Sequence, residues 1–165
     1  MTPFAHDKGP SSTKAASNAL ANDASACIQQ AVVELCEGRA HAARLCCEQA
    51  LALEPDNPQA HHLCGICLTK LARYGEAVTH LERAVAIDSN VADFHSDLAA
   101  AYAQLKRYDE AETHFRHALE LEPDRIDVAY NVGVLLGVLG RQTDAELLFV
   151  ELLTMRSQQK SALRL

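Results

Sequence analysis

The chain has 165 residues, a net charge of −7 and 48% hydrophobic residues. This length suits a single domain, and no apolar run reaches the ~20 residues that a membrane-spanning helix needs. The basic residues are dispersed among acidic ones and form no basic stripe of the kind that binds nucleic acid, so we predict that the protein binds neither nucleic acid nor a membrane.

The N-terminal segment, residues 1–23, is rich in Ser, Ala, Asn and Pro. It has few large apolar side chains, and we expect a flexible tail that cannot bury enough surface to become ordered. The segment lacks the basic and then apolar layout of a secretion signal. Six cysteines without such a signal indicate reduced thiols, which predicts a cytoplasmic protein.

From residue 24 onward the sequence repeats itself with a period of 34 residues. Residues 58–91 and 92–125 align without a gap and share nine identical pairs. A fixed period of this size indicates one supersecondary unit that is stacked on copies of itself. The offset defines four units and a short C-terminal tail: residues 24–57, 58–91, 92–125 and 126–159, followed by residues 160–165.

Each unit divides into two predicted helices. In the second unit, apolar or small residues recur every three or four positions in residues 59–71 and again in residues 76–87, with a break at residues 73–75. Helices of about a dozen residues are marginal alone in water, so packing between neighbours must stabilise them. The pattern therefore predicts an all-α solenoid of stacked antiparallel helix pairs.

The units resemble tetratricopeptide repeats, which carry Leu-Gly and an aromatic residue on the first helix, then a small residue, an aromatic and an Ala on the second, and a closing Pro. The third unit supplies Leu98, Ala99, Tyr102, Ala111, Phe115, Ala118 and Pro123, and the fourth supplies Gly133, Ala145 and Phe149. The family's leading Trp is replaced here by Cys27, His61, His95 and Ala129. The resemblance implies a right-handed superhelix over residues 24–159 whose first helices line a concave binding surface.

This resemblance implies a non-catalytic adaptor, without a cofactor, that holds a peptide or helix of a partner protein in the concave groove. Two alternatives stay open: a bacterial secretion-type chaperone, and the regulatory arm of a larger enzyme such as a glycosyltransferase or methyltransferase. No nucleophile motif, Gly-rich phosphate loop or metalloprotease helix motif is present, so we do not predict an enzyme. The predicted groove residues are Gln59, His62, Ile66, Thr69, Lys70, Asp93, Ser96, Asp97, Ala100, Gln104, Asp127, Tyr130, Asn131 and Val134.

Four acidic residues, Asp93, Asp97, Asp124 and Asp127, allow two interpretations. Asp93 and Asp97 are one helical turn apart and share a face, and Asp127 is the next-repeat equivalent of Asp93. The cluster could receive a Lys, an Arg or an amino terminus of a partner. Alternatively, Asp93, Asp124 and Asp127 could lie at helix N-termini, where acids cap the helix and offset its dipole. Some family members clamp a terminal carboxylate with Lys, Arg and Asn, but two acids stand at the corresponding positions here. We therefore predict that the chain is not a carboxylate clamp.

Cysteines form a second cluster. Cys64 and Cys67 make a CxxC motif, and Cys46 and Cys47 lie on the preceding predicted helix. Four thiols in one neighbourhood could bind zinc or take part in redox chemistry. Apolar residues occupy the equivalents of Cys64 and Cys67 in the third unit, which favours plain packing of buried thiols. We predict packing, with zinc or redox chemistry as the alternative.

The last predicted helix, residues 143–155, is apolar on nearly every side, which implies burial on more than one face. We predict an interface, by self-association or by partner docking, through Leu148, Leu152 and Met155. A covering C-terminal segment and a longer natural protein are the alternatives. Elsewhere, His80 and His114 are predicted on the exposed arc of the second helices.

Overall fold

A computed structural model describes the backbone of residues 23–162 and the side chains of residues 23–154. Residues 1–22 and 163–165 lie outside it, and with them nearly all of the predicted N-terminal tail. The described part contains eight α-helices and no strand, which confirms the all-α fold. The helices are α1 (Ala24–Cys36), α2 (Ala40–Leu53), α3 (Pro58–Lys70), α4 (Tyr74–Ile87), α5 (Ala92–Gln104), α6 (Tyr108–Leu121), α7 (Ile126–Val138) and α8 (Gln142–Ala162).

Two helices fall within each predicted unit, so α1–α2, α3–α4, α5–α6 and α7–α8 form repeats one to four. Asn57 starts repeat two: its side chain accepts from the Ala60 N–H at 3.0 Å, and Pro58 occupies the first turn, where a missing N–H costs nothing. The last helix continues to Ala162, beyond the boundary predicted at residue 159. No helix in residues 23–162 is long and apolar enough to cross a membrane.

The same turn joins the two helices of every repeat. One residue at each turn has a positive φ, namely Gly38 (75°), Ala72 (57°), Lys106 (60°) and Gly140 (72°), and these positions are 34 residues apart. The following N–H then bonds to the carbonyl five residues earlier, as Arg73 N does to Leu68 O at 2.9 Å. This pattern is the Schellman helix end, which satisfies carbonyls that the helix leaves unpaired. The break expected at residues 73–75 therefore lies slightly earlier, because α4 already begins at Tyr74.

Close approach between paired helices depends on small residues. A Cβ atom built on Gly65 would lie 2.4 Å from Leu81 Cγ, and one on Gly133 would lie 2.6 Å from Phe149 Cζ. Both glycines occupy the same position in their repeats, and repeat three has Ala99 there. The buried core consequently runs as a line of small and aliphatic side chains along the stack rather than as one central cluster.

The stack is tighter on the side of the first helices. Successive first helices contact one another, in the pairs α1–α3, α3–α5 and α5–α7, whereas contacts between successive second helices are weaker or absent in the described residues. A stack that is closer on one side curves toward it. The surface of α3, α5 and α7 is therefore the concave surface on which the predicted groove residues lie.

Candidate protein-binding groove

A small cavity opens between the first helices of repeats two and three. Its volume is about 210 Å³, and it is lined by Ile66, Thr69, Lys70, Asp97 and Ala100. All five belong to the predicted groove set. Ile66 and Ala100 contribute apolar carbon to the lining, Thr69 a hydroxyl, Lys70 an ammonium and Asp97 a carboxylate.

His62 and Asp97 link the same two repeats. His62 Nε2 lies 2.7 Å from Asp97 Oδ2, and because a carboxylate only accepts, the Nε2–H donates. The His62 ring also packs on Phe94, with 4.7 Å between ring centroids. His62 is 6% exposed and its Nδ1 is buried without a hydrogen-bond partner. His62 is therefore a packing residue beneath the groove, and Asp97 is the part of this pair that reaches solvent.

Arg125 occupies the acidic cluster. Its guanidinium binds Asp127 through two bonds of 2.9 and 2.7 Å, and binds Asp93 at 2.8 Å and Glu122 at 3.1 Å. Hydrogen bonding from Arg125 lowers the pKa of Asp127 to about 2. Asp93 and Asp127 lie in the first turns of α5 and α7, as the helix-terminus interpretation expects, although neither is the N-cap. Arg125 of this chain pairs with both, and binding of a partner's cation by these acids stays a prediction.

The remaining predicted groove residues divide by exposure. Ser96 is buried, at 8% exposure. The exposed side chains, which remain available for contact with a partner, are those of Gln59, Gln104, Tyr130, Asn131 and Val134. A second cavity of about 210 Å³ lies outside the groove, among α6, α7 and α8, and is lined by Arg116, Leu119, Val132, Leu136, Asp144, Leu147, Leu148 and Glu151.

Histidines pair between the two helices of repeats two and three. His61 Nδ1 lies 3.1 Å from His80 Nδ1, and His95 Nδ1 lies 3.0 Å from His114 Nδ1. His80 and His114 are half-buried, so their predicted exposure was wrong. Helical spacing alone placed them on an outer arc, whereas an imidazole on the facing helix covers them.

When both rings of a pair are neutral, their hydrogen-bond partners fix which ring nitrogens carry the protons. The outer nitrogen of the first-helix histidine contacts a backbone carbonyl, as His61 Nε2 does with Pro55 O at 2.9 Å. A carbonyl only accepts, so Nε2 carries the proton and His61 Nδ1 accepts from His80 Nδ1–H. Burial, followed by repulsion from the facing histidine, lowers the pKa of His80 and of His114.

Three of the four clustered thiols pack together. Cys47, Cys64 and Cys67 are at most 1% exposed and form a core cluster with Ala31, Ala43 and Leu63. Hydrogen bonding to the other two thiols, together with burial, raises the pKa of Cys47, which keeps its thiol protonated and unreactive. Cys46 lies at the edge of this cluster, and burial raises its pKa as well. The described residues contain no group of three or more His, Cys, Asp or Glu that could hold a metal ion.

The predicted end interface is only partly at the surface. Leu148 is half-buried and packs against the main core, and Leu152 is half-buried too. The side chain of Met155 lies outside the described residues. Among the described side chains of α8, the most exposed apolar ones are Leu147 at 64% and Leu153 at 67%.

Sequence profiles decide the family. Two profiles of the tetratricopeptide repeat match residues 28–92 and 70–132, together covering most of the helical stack. The chain belongs to the tetratricopeptide-repeat family. No curated protein matches the sequence of this chain.

Solved structures of the same architecture are similar to this tetratricopeptide-repeat protein. MamA superposes with a TM-score of 0.80 at 18% identity, over 90% of this chain and 86% of MamA. The first tetratricopeptide domain of Spaghetti (RPAP3), bound to the HSP90 peptide SRMEEVD, gives 0.70 at 20% identity, over 73% of this chain and 95% of that domain. A mutant O-GlcNAc transferase of Thermobaculum terrenum gives 0.67 at 32% identity, over 68% of this chain and 22% of the transferase.

Proposed function

We propose that this tetratricopeptide-repeat chain is a non-catalytic adaptor that holds a segment of a partner protein on the first helices of repeats two and three. The cavity between Lys70 and Asp97 carries the proposal. Its volume of about 210 Å³ is below the roughly 300–1,000 Å³ of small-molecule sites and suits one side chain of a longer ligand. Interaction modules of this family, including the domain bound to an HSP90 peptide, support a protein ligand.

Charge pairing suggests which groups of the partner segment would bind. Arg125 neutralises much of the charge of Asp93 and Asp127, and Asp97 accepts from His62. Lys70 makes no ion pair or hydrogen bond within the described part of the chain, and its side chain is exposed. The proposed ligand therefore places an apolar side chain on Ile66 and an acidic or carbonyl group beside Lys70.

A displayed library of random peptides tests the proposal. Peptides are selected on the full chain, and their affinity is measured for Lys70→Glu and for Lys106→Glu, which reverses the same charge at an exposed turn outside the groove. We expect Lys70→Glu to weaken binding about tenfold, the loss of one charge-assisted contact, and Lys106→Glu to leave it unchanged. Equal affinity for both variants would remove the groove assignment.

The regulatory arm of a larger enzyme is a second candidate function. The similarity to a segment of an O-GlcNAc transferase favours it, since this chain covers only 22% of that protein. Under this hypothesis the groove would present a substrate protein to a separate catalytic region. Sequencing the native reading frame on both sides of residues 1–165 tests the idea, because a catalytic region must follow or precede the repeats.

Self-association through the last repeat is the second part of the proposal. Residues 126–154 hold eight of the thirteen large hydrophobic side chains that are exposed in the described part. Large apolar patches of this kind mark interaction sites. We further propose that the protein acts in the cytoplasm, has no cofactor or activity of its own, and binds no nucleic acid.

A further inference from the structure

Within the described residues, the last repeat exposes a position that is buried in repeats two and three. Tyr130 corresponds, at steps of 34 residues, to Ser96 and His62. Ser96 and His62 are 8% and 6% exposed, whereas Tyr130 is 62% exposed. The cover over His62 is the first helix of the next repeat, α5, through Phe94 and Asp97. By analogy, a helix packed against α7 would bury Tyr130.

Three further positions change in the same way. Phe149 is 40% exposed, although its equivalents Phe115 and Leu81 are 2% and 0% exposed. Val134 and Leu153 are 50% and 67% exposed, while the same positions in repeats two and three are half-buried. These four side chains form one uncovered surface, which we call the end face: Tyr130, Val134, Phe149 and Leu153.

The opposite end of the described stack differs in chemistry. Gln30 of α1 corresponds to Cys64 and Leu98, each of which is 1% exposed. Gln30 is exposed, and its Nε2 donates to Glu34 Oε1 at 2.7 Å. An amide thus replaces an apolar side chain at this end, although Val33, one turn away, is apolar and 48% exposed. Stacking the end face of one copy on α1 of another would bury the Gln30 amide at a cost.

We infer that two copies of this chain associate end face to end face, as a dimer with two-fold symmetry. In such a contact the same patch is its own partner, and the assembly closes at two. The four side chains are uncharged, and salt screens the repulsion between copies of net charge −7 beyond about 8 Å. The inference specifies the self-association proposed above and is independent of the groove.

The available area agrees with a weak specific dimer. Half-exposed side chains of this size leave roughly 100 Å² each, so the end face and Ile126, which is 57% exposed where its equivalent Ala92 is buried, present roughly 500 Å². Standard interfaces take about 800 Å² from each partner, part of it from a polar rim. We therefore expect a dimer that dissociates in the micromolar range.

Analytical ultracentrifugation of the full chain over a wide range of concentrations tests this inference. The expected result is a monomer–dimer equilibrium. Leu153→Glu and Val134→Glu should each raise its dissociation constant at least about tenfold, because each places a carboxylate in an apolar contact. Val33→Glu, at a side chain 48% exposed on the opposite end, should leave the constant unchanged. Circular dichroism checks that each variant is helical.

Three outcomes would overturn the inference. A strict monomer up to the highest concentration would leave a helix of another protein, or the C-terminal segment of this chain, as the occupant of the end face. A dimer that tolerates both Leu153→Glu and Val134→Glu would use a different surface. An assembly that grows beyond two copies and dissociates with Val33→Glu would be head-to-tail. Leu153→Glu should still bind the peptides selected on the groove, so failure of the dimer and failure of the groove are distinguishable.

Discussion

His62 Nε2 donates to Asp97 Oδ2 at 2.7 Å, and this single bond ties the first helix of repeat two to that of repeat three. Asp97→Ala would leave both nitrogens of a buried ring without a partner, since His62 Nδ1 already has none. We expect a loss of about 1–3 kcal/mol in unfolding free energy. Asp97→Asn keeps an acceptor and should lose less.

Urea unfolding measures both variants, with Asp124→Ala as the control for removing an exposed acid nearby. Asp124→Ala should lie close to the wild type. If Asp97→Ala and Asp124→Ala unfold at the same urea concentration, the bond between the repeats contributes nothing to stability.

The histidine pairs predict a loss of stability in mild acid. Burial and the facing imidazole lower the pKa of His80 and His114 below the unfolded value of about 6.5. Glu48 and Glu76 near His80, and Glu82 near His114, oppose this shift, whereas His117 adds to it at His114. Between the lowered pKa values and about 6.5, the unfolded chain therefore binds more protons than the folded chain. Stability is therefore full above pH about 6.5 and falls as the pH drops below it.

Thermal unfolding between pH 8 and pH 5 tests this dependence. The double variant His80→Ala/His114→Ala should have a flatter profile below pH about 6.5 than the wild type, because it removes two imidazoles whose pKa the fold lowers. Part of the slope should remain, because burial and His117 lower the pKa of His95 as well. His41→Ala removes an exposed histidine and should retain the wild-type profile. A slope in the double variant as steep as that of the wild type would refute the role of the pairs.

The four helix-ending turns supply a comparison within one chain. Ala72 and Lys106 adopt the positive φ that Gly38 and Gly140 provide without strain. We expect Ala72→Gly and Lys106→Gly each to raise the unfolding free energy by about 0.5–1 kcal/mol, and Gly140→Ala to lower it by about 1 kcal/mol. Chemical denaturation of the three variants measures this, and a change of the same sign in all three would contradict it.

Substitution of two helical glycines by alanine should have opposite effects on stability. A Cβ on Gly65 would meet Leu81 at 2.4 Å, whereas a Cβ on Gly137 would meet nothing within 4 Å. Gly65→Ala should destabilise by about 1–3 kcal/mol, because a fully buried Leu81 must move. Gly137→Ala should stabilise by up to about 1 kcal/mol through helix propensity. Equal melting temperatures for the two variants would mean that the helices separate freely.

The 34-residue period predicts much of this architecture. It assigns two helices to each unit and places the five residues that line the groove cavity on adjacent first helices, because equivalent positions in a stack share the same neighbours. The period does not show which side chain covers another. Arg125 between Asp93 and Asp127, and His61 over His80, depend on contacts across helices that no local spacing encodes.

At the end of the stack, too, the sequence does not show which side chains are covered. Leu148 and Leu152 form part of an apolar helix, and the sequence alone does not tell which apolar residues turn toward the preceding repeat. The structure places Leu148 against the core and leaves Phe149 and Leu153 uncovered. Once the helices are placed, a comparison of each side chain with its equivalent in another repeat, such as Phe149 with the buried Leu81, identifies the uncovered ones.

Site-specific photocrosslinking shows whether a partner segment binds along the first helices. A photoreactive amino acid replaces Thr69, which lines the groove cavity, or Thr113, which is exposed on α6. We expect peptides selected on the full chain to crosslink through position 69 and not through position 113. Crosslinks through position 113 alone, or equally through both, would contradict it.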